Sequence, residues 1–389
     1  MLVIQKYGGS SLATPKHIQT AARRIADLKK SGANVVVVAS AMGHMTDHLL
    51  KLARKTVKIP PLREVDMLLT AGERVSMSLL SMALQELGVP AISFTGSQSG
   101  IITTHDHTNA KIIDIRPNRI LEELALEKVV IIAGFQGISE KKEITTLGRG
   151  GSDTTAVALA AILKADRCEI LTDVEGLYSA DPRIVPEAKI LTSVDYDSAL
   201  EMASLGAKMQ ARSIEVAKKF GVDLRIASSQ SESQLGTQVV SREKSLSLPI
   251  EQVKISGVAT KDGFHLFRAQ TSLTYFFKVL KNIAVPLRFI SQTAIEISFL
   301  CEREKLALVR EAFQKENIRI NEVPNVATVS VVGEGLTHSN SLFHQVVTFM
   351  EKENIDCLMW VTNSVSVTMA VKSEFKEALA KFLHNDLLI

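Results

Sequence analysis

The sequence predicts an α/β protein: a mostly parallel sheet covered by helices on both faces, followed by two smaller α+β units of ferredoxin-like type. Three observations predict it. Short runs that are apolar throughout, "VVVVAS" (35–40), "VVIIAG" (129–134), "CEILT" (168–172) and "DLRIA" (223–227), read as strands buried on both faces. Longer amphipathic stretches alternate with them, as helices do around a parallel sheet. Near residue 230 the texture changes, and beyond it a strand–helix–strand pattern is written twice.

In chain order, "LVIQKYGGSSLATPKHIQTAARRIADLKK" reads as a strand, paired glycines and a helix, with Gly32 as its stop. "RVSMSLLSMALQELG" and "RILEELALEK" are amphipathic helices, the first ending at Gly88. The Ser- and Gln-rich "SSQSESQLGTQVVSREKSLSLP" is a linker. The first small unit reads "FHLFRA", helix "SLTYFFKVLKNIAV", strands "LRFISQ" and "AIEISFL", helix "EREKLALVREAFQKEN", then "IRINEV". The second reads "ATVSVVG", helix "SLFHQVVTFMEKENI", strands "CLMWVTN" and "VSVTMAV", helix "EFKEALAKFLH", with no clear last strand. Either "VKISGVA" (253–259) or the closing "DLLI" supplies that strand; the former would insert the first unit within the second. The expected boundaries are 1–230, a linker 231–250, 251–321 and 322–389.

The chain has 389 residues, room for two or three domains, and a net charge of +3. So even a balance, with the single Trp360, argues against a nucleic-acid binder. Cys168, Cys301 and Cys357 are scattered and lack CxxC spacing, so neither disulfides nor zinc are expected. Met1 runs directly into a strand without a basic-then-apolar leader, and no apolar run reaches the ~20 residues of a membrane span. A cytoplasmic protein is expected.

Three stretches carry chemistry. In "KYGGSS", paired glycines between strand and helix expose backbone N–H groups that suit phosphate, and Lys6 adds a full charge. A tight turn with a surface lysine would look the same, and GxxxxGK[ST] is absent. In "TTLGRGGSDTTAVALAAIL" (145–163), Gly148, Gly150 and Gly151 bracket Arg149, whose fork can grip a carboxylate. Ser152 or Asp153 is expected to cap the helix that follows, and Asp153 to orient Lys6 or a metal-bound water. In "LTDVEGLYSADPRIVPEAKIL" (171–191), Thr172 and Asp173 end a strand, where ligands of open α/β sheets gather. Tyr178 offers a ring and a hydroxyl there, and Asp181-Pro182-Arg183 a rigid turn. His105, Asp106 and His107 lack a third ligand nearby and read as a polar loop; His44 and His48 lack HExxH and read as loop or first-turn residues.

Together, in this order and spacing, "KYGGSS", "LGRGGSDTTA" and "TDVEGLYSADPR" resemble the aspartate kinases of the amino-acid kinase superfamily. The likeness continues through "SAMGHMTD", "LTAGERVS", "GFQG" and "LEMASLGAKMQARSIEVA" into a tail that resembles two ACT domains. The resemblance implies the amino-acid kinase fold, with ATP held by Lys6, Tyr7, Gly8, Gly9, Ser10, Thr172, Asp173, Tyr178, Asp181, Arg183 and Lys208. It implies Lys6 and Asp153 as catalytic. Aspartate would be held by Ser40, Thr46, Glu73, Arg149, Gly150, Gly151 and Ser152, with Glu73 on its ammonium and Arg149 on its α-carboxylate. No metal site of the protein's own is implied; Mg²⁺ would arrive with ATP, held mainly by the phosphates. The reaction implied is the first step toward lysine, threonine and methionine, in a monofunctional homodimer or larger assembly controlled by lysine or threonine.

The tail departs from the ACT pattern: its first strand-to-helix loops, "RAQTSLTYF" and "GEGLTHSNSLF", lack a glycine at the helix entrance. Asn340 or Ser341 is expected to cap the helix after the second. Two other readings stay open: a superfamily kinase for glutamate, N-acetylglutamate or a nucleoside monophosphate, and a catalytically idle amino-acid sensor.

Overall fold

A computed structural model describes residues 1–207, 209–231, 236–245, 254–281, 283, 289–336 and 339–388. The chain forms two compact units. The first comprises Met1–Leu177, Ile190–Ala203 and Lys208–Ser247; the second comprises Tyr178–Lys189, Ser204–Ala207 and Leu248–Ile389.

Up to residue 245 the elements are β1 (Leu2–Tyr7), α1 (Pro15–Lys30), β2 (Asn34–Ala39), α2 (Met45–Thr56), α3 (Leu62–Glu86), β3 (Ala91–Phe94), β4 (Ile101–Thr103), β5 (Ile112–Ile115), α4 (Asn118–Ala125), β6 (Val129–Ala133), β7 (Gln136–Ser139), β8 (Ile144–Thr146), α5 (Gly151–Leu163), β9 (Arg167–Thr172), β10 (Ser193–Asp195), α6 (Tyr196–Leu205), α7 (Ala211–Phe220), β11 (Leu224–Ser228), β12 (Thr237–Val240) and α8 (Arg242–Ser245). Eight strands make one sheet in the order β10-β12-β11-β9-β1-β2-β6-β3. It is parallel except at one end, where β12 runs against β11 and carries β10 with it. The apolar runs become its centre: β2 and β6 are buried almost throughout, because helices cover both faces.

Helix α1 shows how the local sequence sets an element. Thr14 accepts from the His17 N–H, Pro15 supplies the first helical φ, and Lys29 and Lys30 sit at the negative end. Ile18, Ala21, Ala22, Ile25 and Ala26 form its buried stripe, and left-handed Gly32 lies just past its end. A smaller sheet, β5-β4-β7-β8, belongs to the same unit. The 104–110 loop beside it is tied to α3: Asp66, fully buried, receives Thr146 Oγ1 at 2.5 Å and the Thr108 N–H at 3.1 Å, with His107 Nδ1 2.7 Å away. His107 is thus a loop anchor, and among the described residues no group of three His, Cys, Asp or Glu is placed to hold a metal.

The second unit is built on β13 (Lys254–Ala269), α9 (Leu273–Leu280), β14 (Ile290–Gln292), β15 (Ile297–Glu302), α10 (Leu306–Lys315), β16 (Ile320–Glu334), α11 (Asn340–Lys352), β17 (Met359–Thr362), β18 (Ser366–Lys372) and α12 (Lys376–Asn385). Its single sheet runs β14-β15-β13-β16-β18-β17. "IRINEV" and "ATVSVVG", read from sequence as strands of separate units, are one strand, β16. It pairs along the whole of β13, with register shifts near Phe264. The first half of β13 lies beside the second half of β16, and the second half beside the first. Residues 254–261 therefore lie against the strand that opens the second repeat, whereas "DLLI" forms no strand over its described residues. Each repeat has its own core, one around Phe267, Phe276, Phe299 and Phe313, the other around Val329, Val331, Met369 and Leu379. The cap of α11 is Ser339, whose side chain accepts from the Leu342 N–H, rather than Asn340 or Ser341. Residues 178–189, placed by sequence in the first region, pack within the second unit: Ala180, Ile184 and Val185 complete its core, and Ser179 Oγ meets His384 Nε2 at 2.9 Å.

Candidate active site

The register of the large sheet brings Leu171, Tyr7, Ala39 and Ala133 side by side at the carboxyl ends of β9, β1, β2 and β6. The chain leaving each strand is stitched to the next. The Gly8 N–H donates to Leu171 O, the Ser40 N–H to Tyr7 O, the Gly134 N–H to Ala39 O and the Ser229 N–H to Thr172 O, all within 2.8–3.1 Å. The result is a rigid rim at the edge where open α/β sheets hold ligands.

Lys6 lies on this rim, almost buried, with Nζ 2.7 Å from Asp153 Oδ1 in the first turn of α5. The approach is charge to charge, since that oxygen is buried yet makes no well-angled hydrogen bond. A Cβ on Gly8 would come 3.4 Å from Lys6 Nζ, so the glycine leaves the ammonium open on that side. Gly9 permits another close approach: its Cβ would meet Ala41 O at 3.0 Å and Gly43 O at 3.1 Å. Two expectations change here. The Gly8 N–H is engaged by Leu171 O, and the paired glycines enter a short 3₁₀ turn, Ser10–Leu12, before α1 begins. Tyr7 is fully buried in the core, where burial pushes its phenol far above the ordinary range, so only its backbone belongs to the rim. Ser10 is exposed at the start of the turn.

The second glycine loop crosses the rim. Gly148 and Gly150 are left-handed, with φ of 76° and 72°, and Arg149 between them is exposed. Helix α5 starts at Gly151 with Gly150 as its cap and no side-chain cap bond, so Ser152 and Asp153 lie inside the first turn instead of capping it. That frees Asp153 for Lys6. Gly151 has no room for a side chain, its Cβ falling 2.8 Å from Leu147 Cβ, and Ser152 Oγ would lie 2.7 Å from a Cβ on Gly134. Sequence reasoning missed Arg212, which donates to Leu147 O at 2.7 Å and Ala110 O at 2.8 Å and so braces this loop. It also missed Gln210, whose Cγ lies 2.3 Å from where a Gly150 Cβ would be. The signal lay within "LEMASLGAKMQARSIEVA", from which only Lys208 had been drawn; Lys208 lies outside the described residues.

Glu73 points inward from α3 and is 3% exposed. Its Oε1 accepts the Ala41 N–H at 3.2 Å, while Oε2 is buried without a partner. Loss of solvent pushes its pKa up to about 7, against the hydrogen bond from Ala41. Next to it, a Cβ on Gly72 would strike Ala41 Cβ at 2.8 Å, which brings α3 onto the 40–46 segment that carries Ser40 and Thr46. Ser40 is held through its carbonyl, which accepts from Ser76 Oγ at 2.6 Å; Thr46 is half-buried in α2. A buried carboxylate oxygen with no donor is a site for a cation.

Thr172 and Asp173 stand at the end of β9, where Thr172 Oγ1 donates to Asp173 Oδ1 at 3.0 Å. Tyr178, Asp181 and Arg183 belong to the second unit. Arg183 grips Asp181 through Nη2 at 2.6 Å and Nε at 3.0 Å, which holds the Asp181 carboxyl below its ordinary value.

The family model for the amino acid kinase family matches residues 1–228. The aspartokinase of Corynebacterium glutamicum is 40% identical, over 98% of this chain and 95% of its own. Aspartokinase 2 of Bacillus subtilis is 40% identical, over 99% of this chain and 97% of its own. Among solved structures, E. coli aspartokinase III in complex with aspartate and ADP superposes with a TM-score of 0.83 at 22% identity and covers all of both chains, a likeness of fold.

Proposed function

The chain belongs to the amino acid kinase family and, within it, to the aspartokinases, and from that premise we propose that it transfers the γ-phosphate of ATP to the side-chain carboxylate of L-aspartate, giving 4-phospho-L-aspartate. The observation that carries the reading is the Lys6–Asp153 pair at 2.7 Å on the rim, with the unpartnered Oε2 of Glu73 in the same unit. One suits a phosphate, the other an ammonium.

The acceptor carboxylate, with an ordinary pKa near 3.9, is ionised at neutral pH and needs no general base. Its oxygen forms the new bond to the γ-phosphorus while the bond to the bridging oxygen breaks, and ADP leaves with that electron pair. Catalysis is then alignment and neutralisation of charge. Lys6, held in place by Asp153, meets the phosphate oxygens; Gly8 and Gly9 let them approach. Arg149 takes the α-carboxylate of aspartate and Glu73 its ammonium, and Ser40, Thr46 and Ser152 supply hydroxyls. Thr172, Asp173, Tyr178, Asp181, Arg183 and Lys208 complete the nucleotide set. Mg²⁺ keeps most of its ligands as phosphate oxygens and waters, so it needs little from the protein. The donor set fits that, with Asp153 able to accept from a metal-bound water; the ion would neutralise phosphate charge.

The product opens the route to lysine, threonine and methionine. The two repeats of the second unit serve as ACT domains that bind an amino-acid effector, lysine or threonine, and join copies of the chain. The test is ADP release with MgATP and L-aspartate, in hydroxylamine to trap the acyl phosphate, alone and with lysine, threonine or both. Hydroxamate that depends on aspartate supports the reading. Turnover with glutamate or a nucleoside monophosphate in its place would sink it.

A further inference from the structure

On the other face of the large sheet, under α1, three arginines converge on one carboxylate. Gln5, Glu169 and Arg225 stand in one row across β1, β9 and β11. Arg167 lies two residues before Glu169 on the same face of β9, and Arg24 and Leu28 come from α1. Together these six line a concavity of about 240 Å³. Lys6 alternates with Gln5 and faces Asp153 of α5, so the concavity and the catalytic rim lie on opposite faces of β1. Glu169 is 2% exposed; Gln5 Nε2 donates to its Oε2 at 2.7 Å, and Arg225 Nη1 to its Oε1 at 3.3 Å. Arg167 Nε lies 3.1 Å from Oε1, but it is shielded from solvent and makes no well-angled hydrogen bond. Arg24 Nη1 donates to Ser228 O at 2.7 Å.

We infer that this concavity binds a small, doubly charged oxyanion of the phosphate type. One guanidinium would balance Glu169; three leave a surplus of two positive charges. Like charges brought together inside a concave, partly buried wall repel unless an anion joins them. Guanidinium forks match the geometry of phosphate oxygens, and the shielded Arg167 Nε lacks an acceptor that such an oxygen would supply. The volume lies below the ~300–1,000 Å³ of sites for drug-sized molecules, which favours a small ion. Strand β1 links the two faces, since Tyr7 Oη donates to Gln5 Oε1 at 3.2 Å one residue from Lys6.

The experiment is calorimetric titration of the full chain with inorganic phosphate at low salt, in a Lys6→Gln background that removes the charge at the rim. One saturable site is expected. Arg167→Gln should weaken it by about tenfold or more, the scale of a lost charge-assisted hydrogen bond. Glu169→Gln should tighten it, because the competing carboxylate is gone; loss of folding cannot imitate that gain. Absence of saturable binding overturns the inference, as does unchanged affinity in Arg167→Gln or a failure of Glu169→Gln to bind more tightly. The inference stands apart from the proposed kinase reaction, and its readout needs no turnover.

Discussion

Lys6 Nζ and Asp153 Oδ1 lie 2.7 Å apart, joining the end of β1 to the first turn of α5, with side chains only 11% and 13% exposed. A charge so placed is held for use, and its loss has two separable effects. Lys6→Ala should lower kcat by about 10²–10³-fold or more, the scale for removing a charge that stabilises a developing anion. It should also destabilise the fold, because Asp153 keeps its charge without a partner. Lys6→Gln should lose turnover equally while melting near wild type. Steady-state rates with melting curves check this; an active Lys6→Gln would remove Lys6 from the mechanism.

Arg149 is exposed between two left-handed glycines, so its removal disturbs no packing. Arg149→Ala should raise the KM for aspartate about tenfold or more, with kcat and the KM for ATP little changed. A wild-type KM for aspartate would end that assignment.

Gly150 combines a φ of 72° with Gln210 pressed against the position of its missing Cβ. Gly150→Ala should cost about 1–2 kcal/mol of stability through the left-handed backbone alone. Gln210→Ala in the same chain should recover only the contact part. Denaturant titration of the single and double variants separates the two.

Glu73 gives a pH dependence with a definite sign. Its folded-state pKa of about 7 stands above the ordinary 4.5, so the folded, ligand-free chain holds this proton more tightly than the unfolded chain does. That contribution to stability is present below about 4.5 and is lost as pH rises through about 7. An ammonium at Oε2 favours the ionised form, so the KM for aspartate should rise as pH falls below about 7, approaching tenfold per unit. Glu73→Gln should flatten that profile and stabilise the ligand-free protein at pH 8. A KM profile unchanged by the substitution would rule Glu73 out as the ammonium's partner.

Much of this was written locally. The runs 35–40, 129–134 and 168–172 became central parallel strands because apolar residues on both faces leave no other placement. Thr14, Pro15 and Gly32 bounded α1 through backbone preferences that act within a few residues. The pattern failed where a side chain's use depends on distant chain. "KYGG" predicts open N–H groups, but β9 arrives beside it and takes the Gly8 proton. Ser152 and Asp153 look like caps, yet a left-handed Gly150 does that work and turns Asp153 toward Lys6. "IRINEV" and "ATVSVVG" look like two strands, and pairing with an equally long β13 makes them one.

The sequence by itself determined the two kinds of sheet, the glycine loops and the charged residues available to them, since hydrophobic period and turn chemistry are local. Only the tertiary structure decided which charges meet: Lys6 with Asp153, Asp66 with His107, and Arg24, Arg167 and Arg225 around Glu169. Those meetings follow from strand register and helix packing, sums of many weak contacts between residues far apart in the chain, and no short stretch of sequence contains them.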